Sequence, residues 1–254
     1  MVSVIIPCYK NNLTIRCAVM SVLNQTYRDF EVIIIDIART LDRKLLKTFN
    51  EDLPNVKVYS IDERLTAGEA RNIGVGLAKG DYVSFLDADD FWREDKLEKQ
   101  MAALRKYNYK GVKPIMCFTG RALMDELGRY TGRFIGCAKI VTFSKLLKTN
   151  QINCSSVVMP TQLALRHPFP ESPDGKDMHE DFALWLDILQ HGGFAVGINQ
   201  PLLRYRMVRG SRSYNKLKSA LMSYRVYRYT GLGVIHSMYY MIFYTLNGIK
   251  KYML

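Results

Sequence analysis

The chain has 254 residues, 48% hydrophobic and 24% charged, which suits one large α/β domain, or a domain plus an appendage, with a sizeable buried core. Its five cysteines (Cys8, Cys17, Cys117, Cys137, Cys154) include no C-x-x-C and its four histidines no H-E-x-x-H, which argues against a disulfide framework, a structural zinc site and a zincin, and for a reducing compartment. The formal charge of +12 is one-sided, because no Asp or Glu follows Asp187 while ten Lys and Arg do, from Arg204 to Lys251.

Met1 leads straight into a strand-like run, which predicts no cleaved leader. No uninterrupted apolar run reaches the roughly 20 residues that a bilayer span requires. Residues 2–6 are a continuous β-branched run of the kind buried on both faces of a parallel sheet. Helical apolar spacing follows over 11–24, then strands at 31–35 and 56–61. Thr66-Ala67-Gly68-Glu69 matches the S/T-x-x-E capping box, so a helix is expected from Thr66 to Lys79 with Gly80 as its stop. Gly74, Gly76 and Gly80 do not have dinucleotide-fingerprint spacing and read as close packing and a stop.

A fourth strand over 81–86 ends in Asp87-Ala88-Asp89-Asp90, and an amphipathic helix follows over 94–107. This alternation predicts an α/β fold with a mostly parallel sheet between helices, whose ligands bind beyond the carboxyl ends of the strands. Residues 111–143 read as irregular β structure. A helix is expected over 182–190, closed by Gly192-Gly193, with short strands at 194–198 and 202–208. From Ser211 the pattern becomes helical, basic and aromatic, as suits an anionic membrane surface. Residues 234–246 with Lys250-Lys251 fit an interfacial helix.

The residues that carry chemistry are acidic. Carboxylates as close as Asp87, Asp89 and Asp90 repel one another and take up protons unless a cation lies among them. An all-oxygen set suits Mg²⁺ or Mn²⁺. An Asp-rich turn with a helix N-cap is the plainer account of the same residues. Glu180-Asp181 at the start of a helix fits simple capping, or a general base kept ionised by the helix dipole. Arg71 is suited either to neutralising a diphosphate or to pairing with a neighbouring acid. Tyr9 fits a ring stacked on a base or a half-buried core ring.

Together these segments resemble glycosyltransferase family 2, whose members have the GT-A fold. The resemblance rests on Val2-Ser3-Val4-Ile5-Ile6-Pro7-Cys8-Tyr9, Ser21-Val22-Leu23-Asn24-Gln25-Thr26-Tyr27, Ala70-Arg71-Asn72-Ile73-Gly74, the run from Gly80 to Trp92, and Glu180-Asp181-Phe182-Ala183-Leu184-Trp185. It implies an inverting transferase that moves a sugar from a nucleotide-sugar, commonly a UDP-sugar, to an acceptor hydroxyl. By that resemblance Pro7 and Tyr9 line the nucleoside pocket, Asp36 contacts the base, and Arg71 lies near the base or diphosphate. Asp87 and Ala88 belong to the donor site, Asp89 with Asp87 holds Mn²⁺ or Mg²⁺, and Asp181 is the base. Asp90, Glu180, Arg209 and Arg212 are additional candidates.

The resemblance divides the chain into a catalytic domain over 1–210 and a helical, membrane-associating segment over 211–254. Residues 1–100 are the nucleotide-sugar half of that domain and 101–210 the acceptor half. A lipid-linked saccharide acceptor is expected, with the protein peripheral on the inner face of the cell membrane. Two departures stand out: Asp36-Ile37-Ala38-Arg39 replaces the family's Asp-Asp-Gly-Ser, and Val208 replaces a His found in many relatives. Alternatives are a nucleotidyltransferase-like enzyme and a catalytically inactive relative that binds nucleotide-sugar. A nucleic-acid partner is not expected, since the basic residues fall on no recognised motif. A dimer is left open.

Overall fold

The computed structural model describes residues 1–172, 175–208 and 215–253, the side chains of 216 and 249–253 excepted. Strand β1 (Val2–Cys8) is buried along its whole length and leads through helix α1 (Ile15–Leu23) to β2 (Phe30–Ile37). Helix α2 (Arg43–Lys47), β3 (Val56–Ile61), α3 (Ala67–Leu77) and β4 (Tyr82–Phe85) follow. A two-residue strand β5 (Phe91–Trp92) precedes α4 (Lys96–Lys106). The middle of the chain forms β6 (Met116–Met124), β7 (Tyr130–Ile135), β8 (Ile140–Val141), α5 (Phe143–Lys148), β9 (Val158–Pro160) and α6 (Thr161–Arg166). Helix α7 (Glu180–Gln190), strand β10 (Ala195–Arg206), α8 (Lys216–Tyr229) and α9 (Val234–Met253) complete it.

All of the strands join one sheet, with β3-β2-β1-β4-β9-β6-β10-β5 as its main path. The β3-β2-β1-β4 half is parallel, whereas β9 runs antiparallel between β4 and β6. Side chains alternate along β1: Ile5 joins one apolar layer with Phe85 and Trp185, and Val4 and Ile6 join the other with Val19 and Trp92. Two buried faces explain why β1 is almost wholly apolar.

The capping box at Thr66 is formed in full. Glu69 N–H donates to Thr66 Oγ1 at 3.2 Å, and Thr66 N–H to Glu69 Oε2 at 2.6 Å. Three expectations are corrected. The 111–143 stretch contains the nine-residue β6, buried throughout, rather than irregular structure. The two short strands expected over 194–208 are one strand, β10, whose register shifts on either side of Pro201. A bulge is where a sheet accepts a residue that has no N–H to donate. Gly76 meets nothing within 4 Å, so close packing does not account for it.

Helix α8 is built into the main core despite the change of composition after residue 210. Val226 and Tyr227 share a layer with Trp185, and Tyr227 Oη donates to Leu147 O at 2.7 Å. Helix α9 packs against α5 and α8, and Asn247 Nδ2 donates to Lys148 O at 3.1 Å. His167 Nδ1 lies 2.6 Å from Asp187 Oδ2, which ties the end of α6 to α7.

Gly74 and Gly76 lie two residues apart on α3, yet their alanine variants are expected to differ in sign. A Cβ on Gly74 runs into the side chain of fully buried Ile5, so Gly74→Ala costs about 1–3 kcal/mol. Gly76→Ala stabilises by about 0.5–1 kcal/mol, because Ala loses less entropy in a helix. Urea-denaturation midpoints of the two variants check both signs.

Candidate active site

Beyond the carboxyl ends of β1, β2 and β4 lies an open cleft of about 970 Å³. One end is formed by Pro7, Tyr9, Ile37, Arg64 and Leu65, and the floor by Asp87, Ala88 and Asp89. Glu180 and Asp181 enter from the first turn of α7. The far wall comes from Thr149, Asn150, Asn153 and, on the C-terminal helices, Ser219, Ser223 and Tyr244. The two acidic constellations, far apart in sequence, therefore border one space.

Arg71 joins them. Its Nη2 donates to Asp87 Oδ1 at 2.6 Å and its Nη1 to Glu180 Oε1 at 3.4 Å, with the side chain only 5% exposed. The guanidinium carbon sits 5.2 Å from the centre of the Phe169 ring. Phe169 is placed by Asn72, whose side-chain amide exchanges two hydrogen bonds with the Phe169 backbone at 2.8 and 2.9 Å. Arginine stays charged at any working pH and offers a fork of donors, so one side chain offsets part of the charge of two separate elements. Of the two uses the sequence allowed for Arg71, pairing with acids is present.

The acidic loop is held from both sides. Asp87 N–H donates to Ser155 Oγ at 3.0 Å, and Trp92 Nε1 donates to the carbonyl of the same serine at 2.8 Å. Arg206 donates through Nε to Asp89 O at 2.8 Å and through its backbone N–H to Asp90 Oδ1 at 2.9 Å. Asp90 is 1% exposed, and its Oδ2 has no protein partner. Burial, then Asp89 and Asp87, hold its carboxyl well above the ordinary range, and Asp90 braces the strand end rather than lining the cleft.

Asp89 does border the cleft. Burial, and after it the charge of Asp87, push its carboxyl up to about 6. The bare floor is thus short of positive charge, and Asp87 with Asp89 offers the all-oxygen set that a hard divalent ion prefers. The residues fit such an ion.

Asp181 is half-buried at the start of α7, and its Oδ1 accepts from Phe182 N–H at 2.8 Å. Burial, then Glu180, raise its carboxyl above the usual value, and His179 and Arg71 act in the opposite direction. A carboxylate raised in this way is a better proton acceptor than a solvated one.

Asp36 is placed differently from the base contact expected of it. It is fully buried and does not line the cleft; Ile37 does. Its carboxylate accepts from Thr40 N–H at 2.8 Å, Leu41 N–H at 3.0 Å and Ser60 Oγ at 3.0 Å. These bonds hold a turn in which Ala38 and Arg39 have φ of 54° and 48°, the left-handed region that glycine enters most easily. With Ala where the family has Gly, the turn leans on the Asp36 carboxylate. Val208 lines the cleft, and Arg209 and Arg212 lie outside the described residues.

Sequence spacing gave no sign of Ser155, Arg206 or the His179–Ser219–Tyr244 chain. In that chain His179 Nε2 lies 3.0 Å from Ser219 Oγ, which lies 3.2 Å from Tyr244 Oη. The only hint was that Arg206 stands among the late basic residues.

Comparison with known proteins agrees with this geometry. The model of Glycosyl transferase family 2 matches residues 3–138. The UDP-Glc:alpha-D-GlcNAc-diphosphoundecaprenol beta-1,3-glucosyltransferase WfgD of Escherichia coli is 31% identical over 254 residues, covering 99% of this chain and 95% of that one. The fold matches that of S. aureus TarS 1-349 in complex with UDP-GlcNAc, with TM-score 0.72, 19% identity and coverage of 98% and 74%. It also matches the mannosyltransferase PcManGT from Pyrobaculum calidifontis in complex with GDP-Man and Mn²⁺, with TM-score 0.67, 17% identity and coverage of 94% and 69%. The GT-A architecture expected from the sequence is thereby shown.

The raised Asp89 carboxyl has a consequence for folding. A carboxyl whose value in the fold lies above its unfolded value disfavours the fold once pH exceeds both, and has no effect below both. Without divalent metal, Asp89→Asn is therefore expected to stabilise the protein by about 2 kcal/mol at pH 7–8. The gain fades as pH falls from about 6 and is absent below about 4. Thermal unfolding across this pH range in a chelating buffer measures it.

Proposed function

We propose that this chain, which belongs to Glycosyl transferase family 2 and is a glycosyltransferase, moves a sugar from a UDP-sugar to a hydroxyl of a saccharide carried on a lipid diphosphate, inverting the anomeric carbon. The observation that carries this reading is the single cleft in which Arg71 holds Asp87 and Glu180 together, with Asp89 and Asp181 beside them.

The nucleoside end is Tyr9 with Pro7, and the Arg64 guanidinium carbon lies 5.6 Å from the centre of the Tyr9 ring. A ring backed by a cation is suited to stacking a base. Asp87 and Asp89 would hold Mn²⁺ or Mg²⁺, and that ion, when bound, neutralises the diphosphate as it becomes the leaving group. Arg206 fixes the backbone of this loop from below. Asp181 accepts the proton of the acceptor hydroxyl. The acceptor oxygen bonds to the anomeric carbon as the bond from that carbon to phosphate oxygen breaks, and the electron pair leaves with the UDP.

The acceptor lies along the far wall, where Asn150, Asn153, Ser219 and Tyr244 present hydrogen-bonding groups suited to a saccharide. The full-length similarity to WfgD, whose name gives a diphosphoundecaprenol acceptor and UDP-Glc donor, supports the lipid carrier. It implies action at the inner face of the cell membrane.

Calorimetry against a set of nucleotide-sugars, with and without Mn²⁺, tests the donor. One UDP-sugar is expected to bind only with metal, and Asp89→Ala to lose that binding. A folded wild type that binds none of them would sink the assignment. Asp181→Asn is expected to keep donor affinity while kcat falls about 10²–10⁴-fold, the usual contribution of a general base. An unchanged kcat would remove Asp181 from that role.

A further inference from the structure

Helix α9 turns its apolar side outward. Val234, Ile235, Met238, Tyr239, Ile242 and Leu246 are all exposed, Ile235 by 82%, Met238 by 61% and Ile242 and Leu246 by 59% each. Their spacing of three and four places them on one face. The side packed on the protein carries Ser237, fully buried, with half-buried Tyr240, Met241, Tyr244 and Asn247, of which Tyr240 and Met241 pack on the main core. The helix is therefore apolar on its outer side as well, and an exposed apolar face of that extent marks a surface that something covers.

We infer that this face is a membrane-docking surface for an anionic bilayer, lying in the headgroup boundary with α9 parallel to the membrane plane. The charge decides the occupant. No acidic residue follows Asp187, and the described cations beside this helix, Arg228 and Lys148, are exposed, so two copies meeting through this face bring like charges together. Anionic headgroups supply the missing opposite charge. Arg228 is exposed at the turn into α9, where its Nη1 donates to Leu232 O at 2.6 Å, and Lys148 Nζ lies 5.5 Å from the centre of the Phe243 ring. Cations and aromatic rings at the rim of an apolar face are the composition of an interfacial helix. No helix among the described residues is long and apolar enough to cross a membrane, which leaves lying on it.

The inner side of the same helix reaches the cleft, since Tyr244 and Gly248 line it. The apolar face and the far wall of the cleft are thus about one helix diameter apart, roughly 10 Å. A saccharide on a lipid carrier can enter beside Asp181 while its lipid stays in the bilayer. This last step rests on the proposed transfer to a lipid-carried acceptor; the docking face stands without it.

The test is cosedimentation with vesicles of phosphatidylcholine alone and of phosphatidylcholine mixed with phosphatidylglycerol. Wild type is compared with the double variant Ile235→Glu, Ile242→Glu, and UDP binding with Mn²⁺ is measured on the same samples. Both positions are exposed, so the variant is expected to fold, with an unchanged unfolding temperature and unchanged UDP affinity. Wild type is expected to sediment with the anionic vesicles, and the variant to bind them about a hundredfold more weakly, because two apolar anchors become charges. Wild type left in the supernatant, or a variant that binds as well as wild type, overturns the inference. A concentration-dependent dimer that the variant abolishes overturns it too, by giving the face to a second copy. Vesicle binding without UDP binding upholds the face and counts against the donor site instead.

Discussion

Four carboxylates border one cleft, with a fifth buried beneath, and the guanidinium of Arg71 is the fixed charge that lets two of the elements carrying them meet. Asp87 arrives at the end of β4 and Glu180 at the start of α7. Without a cation between them, like charges would drive those two ends apart in a poorly solvated space. Arg71 can serve because α3 begins at a strict capping box and delivers the side chain one turn later. Its own plane is backed by Phe169, which Asn72 holds through the backbone. A strand end, two helix starts and a loop thus depend on one buried arginine and its two ion pairs.

The compensation is incomplete, and the shortfall has a use. Asp90 braces the end of β10 from a buried position, while Asp89 and Asp181 remain on the cleft surface with carboxyls raised by burial. A fold optimised for stability would have replaced such groups with apolar ones. In the function proposed above, they form a place where a divalent ion supplies the missing positive charge and where a carboxylate is basic enough to take a proton. Helix α9 likewise leaves an apolar face on the outside, while its inner side packs on the core and reaches the cleft.

How far the sequence could be read depended on whether neighbours in the chain decided the outcome. The runs at β1, β2 and β4 are legible because burial on both faces leaves few polar positions. The cap at Thr66 is legible because its two hydrogen bonds close within four residues. Asp36 was misleading, because a carboxylate at a strand end can either reach a ligand or hold its own turn. Only the positive φ at Ala38 and Arg39 shows that the turn needs it. One strand, β10, read as two because a register shift is a property of two strands and not of one.

The sequence by itself determined the first four strands with the helices between them, the position of Asp87-Ala88-Asp89 at a strand's carboxyl end and that of Glu180-Asp181 at a helix start. All of these follow from local periodicity and capping. Tertiary structure alone decided that the two acidic groups share a cleft, that Arg71 binds acids, that Arg206 and Ser155 hold the loop, and that α8 enters the core while α9 leaves an apolar face uncovered. Each of those outcomes depends on contacts between segments tens of residues or more apart, and spacing along the chain carries no record of which side chain fills the gap between two others.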